Sequence, residues 1–193
     1  MSRILSFHKE IQRKLIHFSV SIIPIAYFLG TPKEIITAVC AVIAAGFLTA
    51  DILRMNFSLA RRYFLKVFSS LLRENEKENK LTGASYLFLG TFAAVYLFPI
   101  EAAVPAVMFA SAADPFAAVI GKRYGTKKFF GKTVEGSIGF FITASAVILV
   151  FTEFGWTGLG AALVCTILEF LPIPVDDNLL IPFAAGSLFM VLL

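Results

Sequence analysis

The sequence predicts an all-α, polytopic membrane protein with about seven transmembrane helices and one further helix lying in the membrane interface. Three observations lead there. The chain is 58% hydrophobic and only 16% charged, with a mean hydropathy of +0.82, whereas soluble domains carry about 25% charged residues. Apolar runs recur along its whole length. The basic residues between those runs gather in three segments instead of spreading through every loop.

Seven runs can be read, at about 15–31, 34–50, 82–100, 102–121, 137–154, 156–171 and 179–193. Several are shorter than the roughly 20 residues of a spanning helix, which calls for thinned bilayer or burial behind neighbours. Pro24, Pro105 and Pro115 fall in or beside spans and predict kinks. Residues 57–73 form a separate amphipathic element. Phe57, Ala60, Phe64, Phe68 and Leu71 share one face and Arg62, Lys66, Ser69 and Arg73 the other, as in an interfacial helix. The ENEKENK stretch after it reads as a solvated loop. There is no sign of a cleavable leader, and residues 1–193 read as a single integral-membrane catalytic domain.

Charge sets the orientation. Of the 17 Lys and Arg, four precede residue 15, seven lie in 52–80, five are Lys122, Arg123, Lys127, Lys128 and Lys132, and the remaining one is Lys33. With seven spans the three basic segments share one side, which the positive-inside rule makes cytoplasmic. The N-terminus is then inside and the C-terminus outside. The net charge of +4 is accounted for by topology and does not call for nucleic acid. Cys40 and Cys165 sit in apolar runs without metal-ligand spacing and read as small core residues.

The ionisable residues that are costly to explain structurally fall at the cytoplasmic ends of spans, where they could converge on one polar pocket. Glu10, Arg13, Lys14 and His17 follow i, i+3, i+4, i+7 and share a helix face. That set suits phosphate binding by Arg13 and Lys14, with His17 carrying a proton. It also suits a snorkelling basic helix start. Asp51 and Arg54 are i, i+3, equally an ion pair at a helix end or part of a site. Asp114 lies three residues after Ser111 inside an apolar run. A carboxylate at the centre of a spanning helix costs roughly 2.5–3.5 kcal/mol, so a cation, metal or hydrogen bonds must offset it.

The stretch GKRYGTKKFFGKT fails the G-x-x-x-x-G-K-[ST] pattern, because five residues separate Gly125 from Gly131 and no strand precedes it. Its physics survives: glycines permit close backbone approach, and lysines such as Lys122, Lys128 and Lys132 neutralise phosphate. Glu169, Asp176, Asp177 and Asn178 precede the last run. Paired carboxylates repel unless a cation joins them, and Mg²⁺ takes one or two carboxylates together with substrate phosphates.

These residues fall into an ordered series: E-x-x-R-K-x-x-H (Glu10 to His17), D-x-x-R (Asp51, Arg54), L-T-G-A-S-Y (Leu81 to Tyr86), S-A-A-D-P-x-A (Ser111 to Ala117), G-K-x-x-G (Gly121 to Gly125), G-K-T-x-E-G-S (Gly131 to Ser137, with Thr133, Glu135 and Gly136) and D-D-N-L-x-I-P (Asp176 to Pro182). In this order the chain resembles the CTP-dependent lipid-alcohol kinases, the family of dolichol kinase, phytol kinase and the CTP-using diacylglycerol kinase, within the wider cytidylyltransferase-like membrane enzymes. The resemblance covers nearly the whole chain. It implies transfer of the γ-phosphate of CTP to a membrane lipid hydroxyl with a divalent metal. It assigns Asp114, Lys122, Lys132 and Glu135 to the nucleotide and metal site, completed by Asp176, Asp177 and Asn178. Asp114 or Asp177 is the expected general base, with His17 as the alternative. A CDP-lipid synthase shares the S-x-x-D and K-T-x-E-G-S patterns. Such synthases also carry a C-terminal signature ending in D-R-x-D, which this chain lacks. A transporter or scaffold would also bury Asp114, but no pair of corresponding interrupted helices marks two halves. The lipid and the oligomeric state, including a homo-oligomer, stay open at this level.

Overall fold

A computed structural model describes residues 2–73, 76–77 and 80–193, with the backbone alone for residues 2–9. Part of the ENEKENK loop therefore lies outside the described residues. The helices are α1 (Ser2–Ser19), α2 (Ile22–Phe28), α3 (Lys33–Asn56), α4 (Ser58–Phe68), α5 (Gly83–Leu97), α6 (Ile100–Met108), α7 (Asp114–Tyr124), α8 (Val134–Phe151), α9 (Gly155–Phe170) and α10 (Asp177–Leu192). A π-helical turn, Phe109–Ala113, joins α6 to α7 without a break.

Among the described residues three helices are long and apolar enough to cross a membrane: α3, the continuous α6–α7 rod Ile100–Tyr124, and α8. α5, α9 and α10 are apolar but shorter. The α6–α7 rod is the central element. Of its apolar stretch 78% is buried, against 22% for α3 and 33% for α8. Helices α1, α2, α5, α8 and α10 all pack on it or on its π-turn. Phe109 anchors the core, edge-on to Phe140 and Phe189 at ring separations of 6.0 and 5.6 Å, while Phe154 stacks on Phe189.

The first apolar run differs from its expected single span. It is two helices, broken at Val20–Ser21. Pro24 has no N–H to offer the Val20 carbonyl, which instead accepts from Ile23 at 3.0 Å. The break turns the Ser21 hydroxyl onto Ser111 in the π-turn, 2.9 Å away.

The basic glycine loop also differs from expectation. It contains a two-stranded antiparallel hairpin, β1 (Lys128–Phe129) and β2 (Lys132–Thr133). Phe130 and Gly131 turn it with φ of 52° and 87°. Two central residues at positive φ mark a type I′ hairpin turn. A Phe-Gly pair lacks the usual Asn-Gly or Asp-Gly signal, so the sequence pattern conceals it.

α4 is shorter than the expected 57–73 helix and ends at Phe68. None of its residues is buried, as suits a helix lying on the bundle rather than through it.

Candidate functional site: a polar cleft and an adjoining apolar groove

The polar cleft, about 360 Å³, opens where the start of α10, the end of α9, the start of α8 and the hairpin meet α1 and α7. Asp114 enters it from the first turn of α7. The π-turn brings it there: the Asp114 N–H bonds the Phe109 carbonyl, five residues back. Such single π-turns commonly occur at functional sites. The Lys14 ammonium donates to Asp114 Oδ2 at 2.5 Å and offsets the charge that the apolar run must carry. His17, one turn along α1, holds Nδ1 3.6 Å from the same oxygen, beyond hydrogen-bond distance. That nitrogen is buried and has no hydrogen-bond partner among the described residues.

On the opposite wall Lys132 draws two acidic residues together. Its ammonium lies 2.7 Å from Asp177 Oδ2 and 3.3 Å from Glu169 Oε1, and it also donates to the Glu169 carbonyl. Ser137 donates to Glu169 Oε2 at 3.2 Å. Burial disfavours the Lys132 ammonium, yet the carboxylates of Asp177 and Glu169 outweigh it and hold its pKa above the ordinary lysine value. Lys128 and Lys122 also line the cleft, Lys122 3.8 Å from Glu10 Oε2. Arg13 pairs with the other Glu10 oxygen at 2.5 Å.

The glycines of the loop serve close packing. A Cβ on Gly121 would lie 2.5 Å from Thr133 Oγ1, and one on Gly136 would lie 3.0 Å from the Ala117 carbonyl, so α7 and the start of α8 meet backbone to backbone. Gly125 likewise has the Gly121 carbonyl and Thr133 against it.

Several expected site residues stand elsewhere or do other work. Arg54 and Asp51, 2% and 1% exposed, form a buried network away from the cleft. Asp51 accepts from Arg54 Nε at 2.6 Å, from the Thr82 N–H at 2.7 Å and from the Ser85 hydroxyl at 2.5 Å. Arg54 also donates to the carbonyls of Glu76 and Lys80. The pair pins the segment before α5 onto α3, in place of the phosphate contact expected for Arg54.

Asp176 was expected to hold a metal; here its carboxylate caps α10 by accepting the Asn178 N–H at 3.0 Å, and it faces Arg73 at 3.7 Å. The Thr133 hydroxyl caps α8 through the Gly136 N–H at 3.1 Å. Glu135 accepts from the N–H and hydroxyl of Thr126, bracing the loop ahead of the hairpin. Ser111 is buried in the π-turn on Ser21, and Asn178 donates to the Gly83 carbonyl at 3.3 Å. Sequence reasoning missed the Lys14–Asp114 pair, a contact between residues 100 apart in the chain, and the part of Arg73, which comes from the polar face of the interfacial element to line the cleft.

A second cavity of about 620 Å³ adjoins the cleft and is mainly apolar. Lys14 and Arg73 line both cavities, and His17 faces the second. The two cavities together place a basic, polar cleft directly against a mainly apolar groove. No protein-family model matches the chain, and no solved structure matches it. Among curated proteins it is similar to an uncharacterized protein of Methanocaldococcus jannaschii, 33% identical over 91% of this chain and 90% of that one. It is 27% identical to CTP-dependent diacylglycerol kinase 1 of Schizosaccharomyces pombe over 95% of this chain and 94% of the kinase. A probable chloroplastic phytol kinase of Zea mays is 32% identical over 60% of this chain and 45% of its own length. These similarities support a relationship to the CTP-dependent lipid kinases.

Proposed function

We propose that this protein transfers the γ-phosphate of CTP to the hydroxyl of a membrane lipid alcohol at the cytoplasmic face of the bilayer. The observation that carries the reading is the polar cleft itself. Five basic side chains, Lys14, Arg73, Lys122, Lys128 and Lys132, surround it together with Glu10, Asp114, Glu169 and Asp177. The N-termini of α8 and α10 open toward it, where backbone N–H groups and the helix dipole favour phosphate.

Asp177 and Glu169 both approach one point, the Lys132 ammonium. Among the described residues no set of three or more His, Cys, Asp or Glu side chains is spaced to hold a metal alone. That donor set fits Mg²⁺ bound by these two carboxylates, which takes its other ligands from phosphate oxygens and water. Such an ion would supply charge neutralisation to the triphosphate.

Asp114 and Asp177, the expected bases, are each engaged by a lysine ammonium, and Asp177 is assigned to the metal. His17 is the better base. Its Nδ1 faces Asp114, which leaves Nε2 for the lipid hydroxyl. As that proton moves to His17, the hydroxyl oxygen bonds the γ-phosphorus, the bond to the β–γ bridging oxygen breaks, and CDP leaves. Asp114, 3.6 Å from Nδ1, stabilises the imidazolium by its charge, while the lysines neutralise charge developing on the phosphoryl oxygens.

The purified full chain, given γ-labelled CTP, Mg²⁺ and either diacylglycerol or an isoprenoid alcohol, should yield labelled lipid phosphate, and EDTA should abolish it. Label transfer from α-labelled CTP into phosphatidate instead would replace the kinase reading with a cytidylyltransferase.

A further inference from the structure

The apolar groove lies between α1, α3, α4 and α5. Its walls carry Val20, Phe47, Phe64, Phe68, Leu87 and Phe88. Lys14 and Arg73 join it to the cleft, since they belong to both cavities, and His17 lines the groove with Nδ1 3.6 Å from Asp114 of the cleft. Glu76, Thr82 and Asn178 also line it, and the rest of its lining is mainly apolar. The groove is open to the surface of the bundle: Ile16, Phe47 and Phe68 line it while 52%, 39% and 43% exposed. The volume lies in the range that buries one ligand-sized molecule, about 300–1,000 Å³.

Gly46 gives a second, independent observation. It lies in the interior of α3, where glycine is less favourable than alanine. A Cβ there would meet no atom within 4 Å, so close packing does not account for it. Gly46 lines the groove, and its missing side chain leaves the groove open.

We propose that this groove holds the hydrocarbon chain of the acceptor alcohol, that the apolar face of α4 covers it, and that Gly46 sets the room available to the chain. The assignment rests on the lipid-kinase reading above and adds where the lipid lies. The chain binds by burial of apolar surface, with its hydroxyl end at His17. Here α4 acts as a wall of the acceptor site as well as an interfacial anchor.

The test compares Gly46→Leu with Val42→Leu, a change on the same helix at a side chain 73% exposed that does not line the groove. Each full-length variant is assayed with γ-labelled CTP against dioleoylglycerol and dihexanoylglycerol, and against phytol and prenol. Gly46→Leu should lower kcat/KM for the long-chain member of the accepted pair about tenfold or more, mainly through KM. It should spare the short-chain member and the KM for CTP, and Val42→Leu should behave as the parent. The pair that responds identifies the chain as glycerolipid or isoprenoid.

In parallel, a lipid alcohol with a diazirine in its chain should photolabel peptides bearing Phe47, Phe64 or Leu87, and Gly46→Leu should suppress that label. Equal kinetics for the two variants, or label on the outer faces of α8 and α9 alone, would overturn the groove assignment. Absence of labelled product from every acceptor in the parent would count against the kinase reading instead, while the photolabel would still report on the groove.

Discussion

At Asp114 an acidic side chain in the central rod is held by Lys14 at 2.5 Å with His17 behind it. Asp114→Asn keeps the shape and removes the charge. Turnover should fall by orders of magnitude while the protein still inserts and purifies, and near-parental activity in that variant would remove Asp114 from the reaction. His17→Gln separates proton transfer from binding. If His17 accepts the lipid proton, kcat should drop about 10²–10⁴-fold with the KM for CTP little changed. A rise in that KM at constant kcat would make His17 a binding residue. The raised pKa of Lys132 keeps its ammonium protonated at neutral pH, so its charge is constant across the range in which histidine titrates.

Helix starts set the shape of the cleft. Three segments singled out by motif, around Thr82, Thr133 and Asp176, supply side-chain N-caps for α5, α8 and α10. Thr133→Val should cost about 1 kcal/mol of stability through loss of the α8 cap, read as a lower midpoint of thermal unfolding in detergent. Because Thr133 also lines the cleft, the KM for CTP should rise with it. The Asp51–Arg54 network acts one step further out. Arg54→Met leaves the Asp51 carboxylate buried without its cation, a loss of about 3–5 kcal/mol. Its effect should appear in unfolding before it appears in the kinetics of whatever folded protein remains. A large kcat defect at parental stability would restore Arg54 to the site.

Across the whole molecule, the end of the bundle that carries the cleft also carries the basic loops, which makes orientation testable. Cys40 and Cys165 are fully buried, so a single introduced cysteine can be read against a quiet background. Lys128→Cys in the hairpin should react with a membrane-impermeant maleimide only from the cytoplasmic side. Trp156→Cys, at a position 88% exposed, should react only from the other. Labelling of both from one side would refute the seven-span topology. The short α5, α9 and α10, of 15 or 16 residues, rise about 1.5 Å per residue and fall short of a typical hydrocarbon core. Polar side chains at their cleft ends can therefore sit at headgroup depth.

Much of this was legible in the sequence, because hydropathy and charge are properties of residues rather than of contacts. Composition determined a helical membrane bundle. The clustering of bases suggested one polar end. An acid in an apolar run marked Asp114, and the motif order pointed to the family. Which partner each charged group takes was decided only in three dimensions. Lys14 meets Asp114 and Lys132 meets Asp177 because helices distant in sequence pack around the central rod, and periodicity carries no information about such pairs. Arg54 and Asp176 show the converse. An ionisable residue in a motif can serve phosphate, metal or fold alike; Arg54 is buried in a hydrogen-bonded network and Asp176 caps α10, so each has a structural partner here. The apolar groove had no sequence signal, since a residue that lines a cavity and one that fills a core are the same residue types. Only packing decides which space is left open.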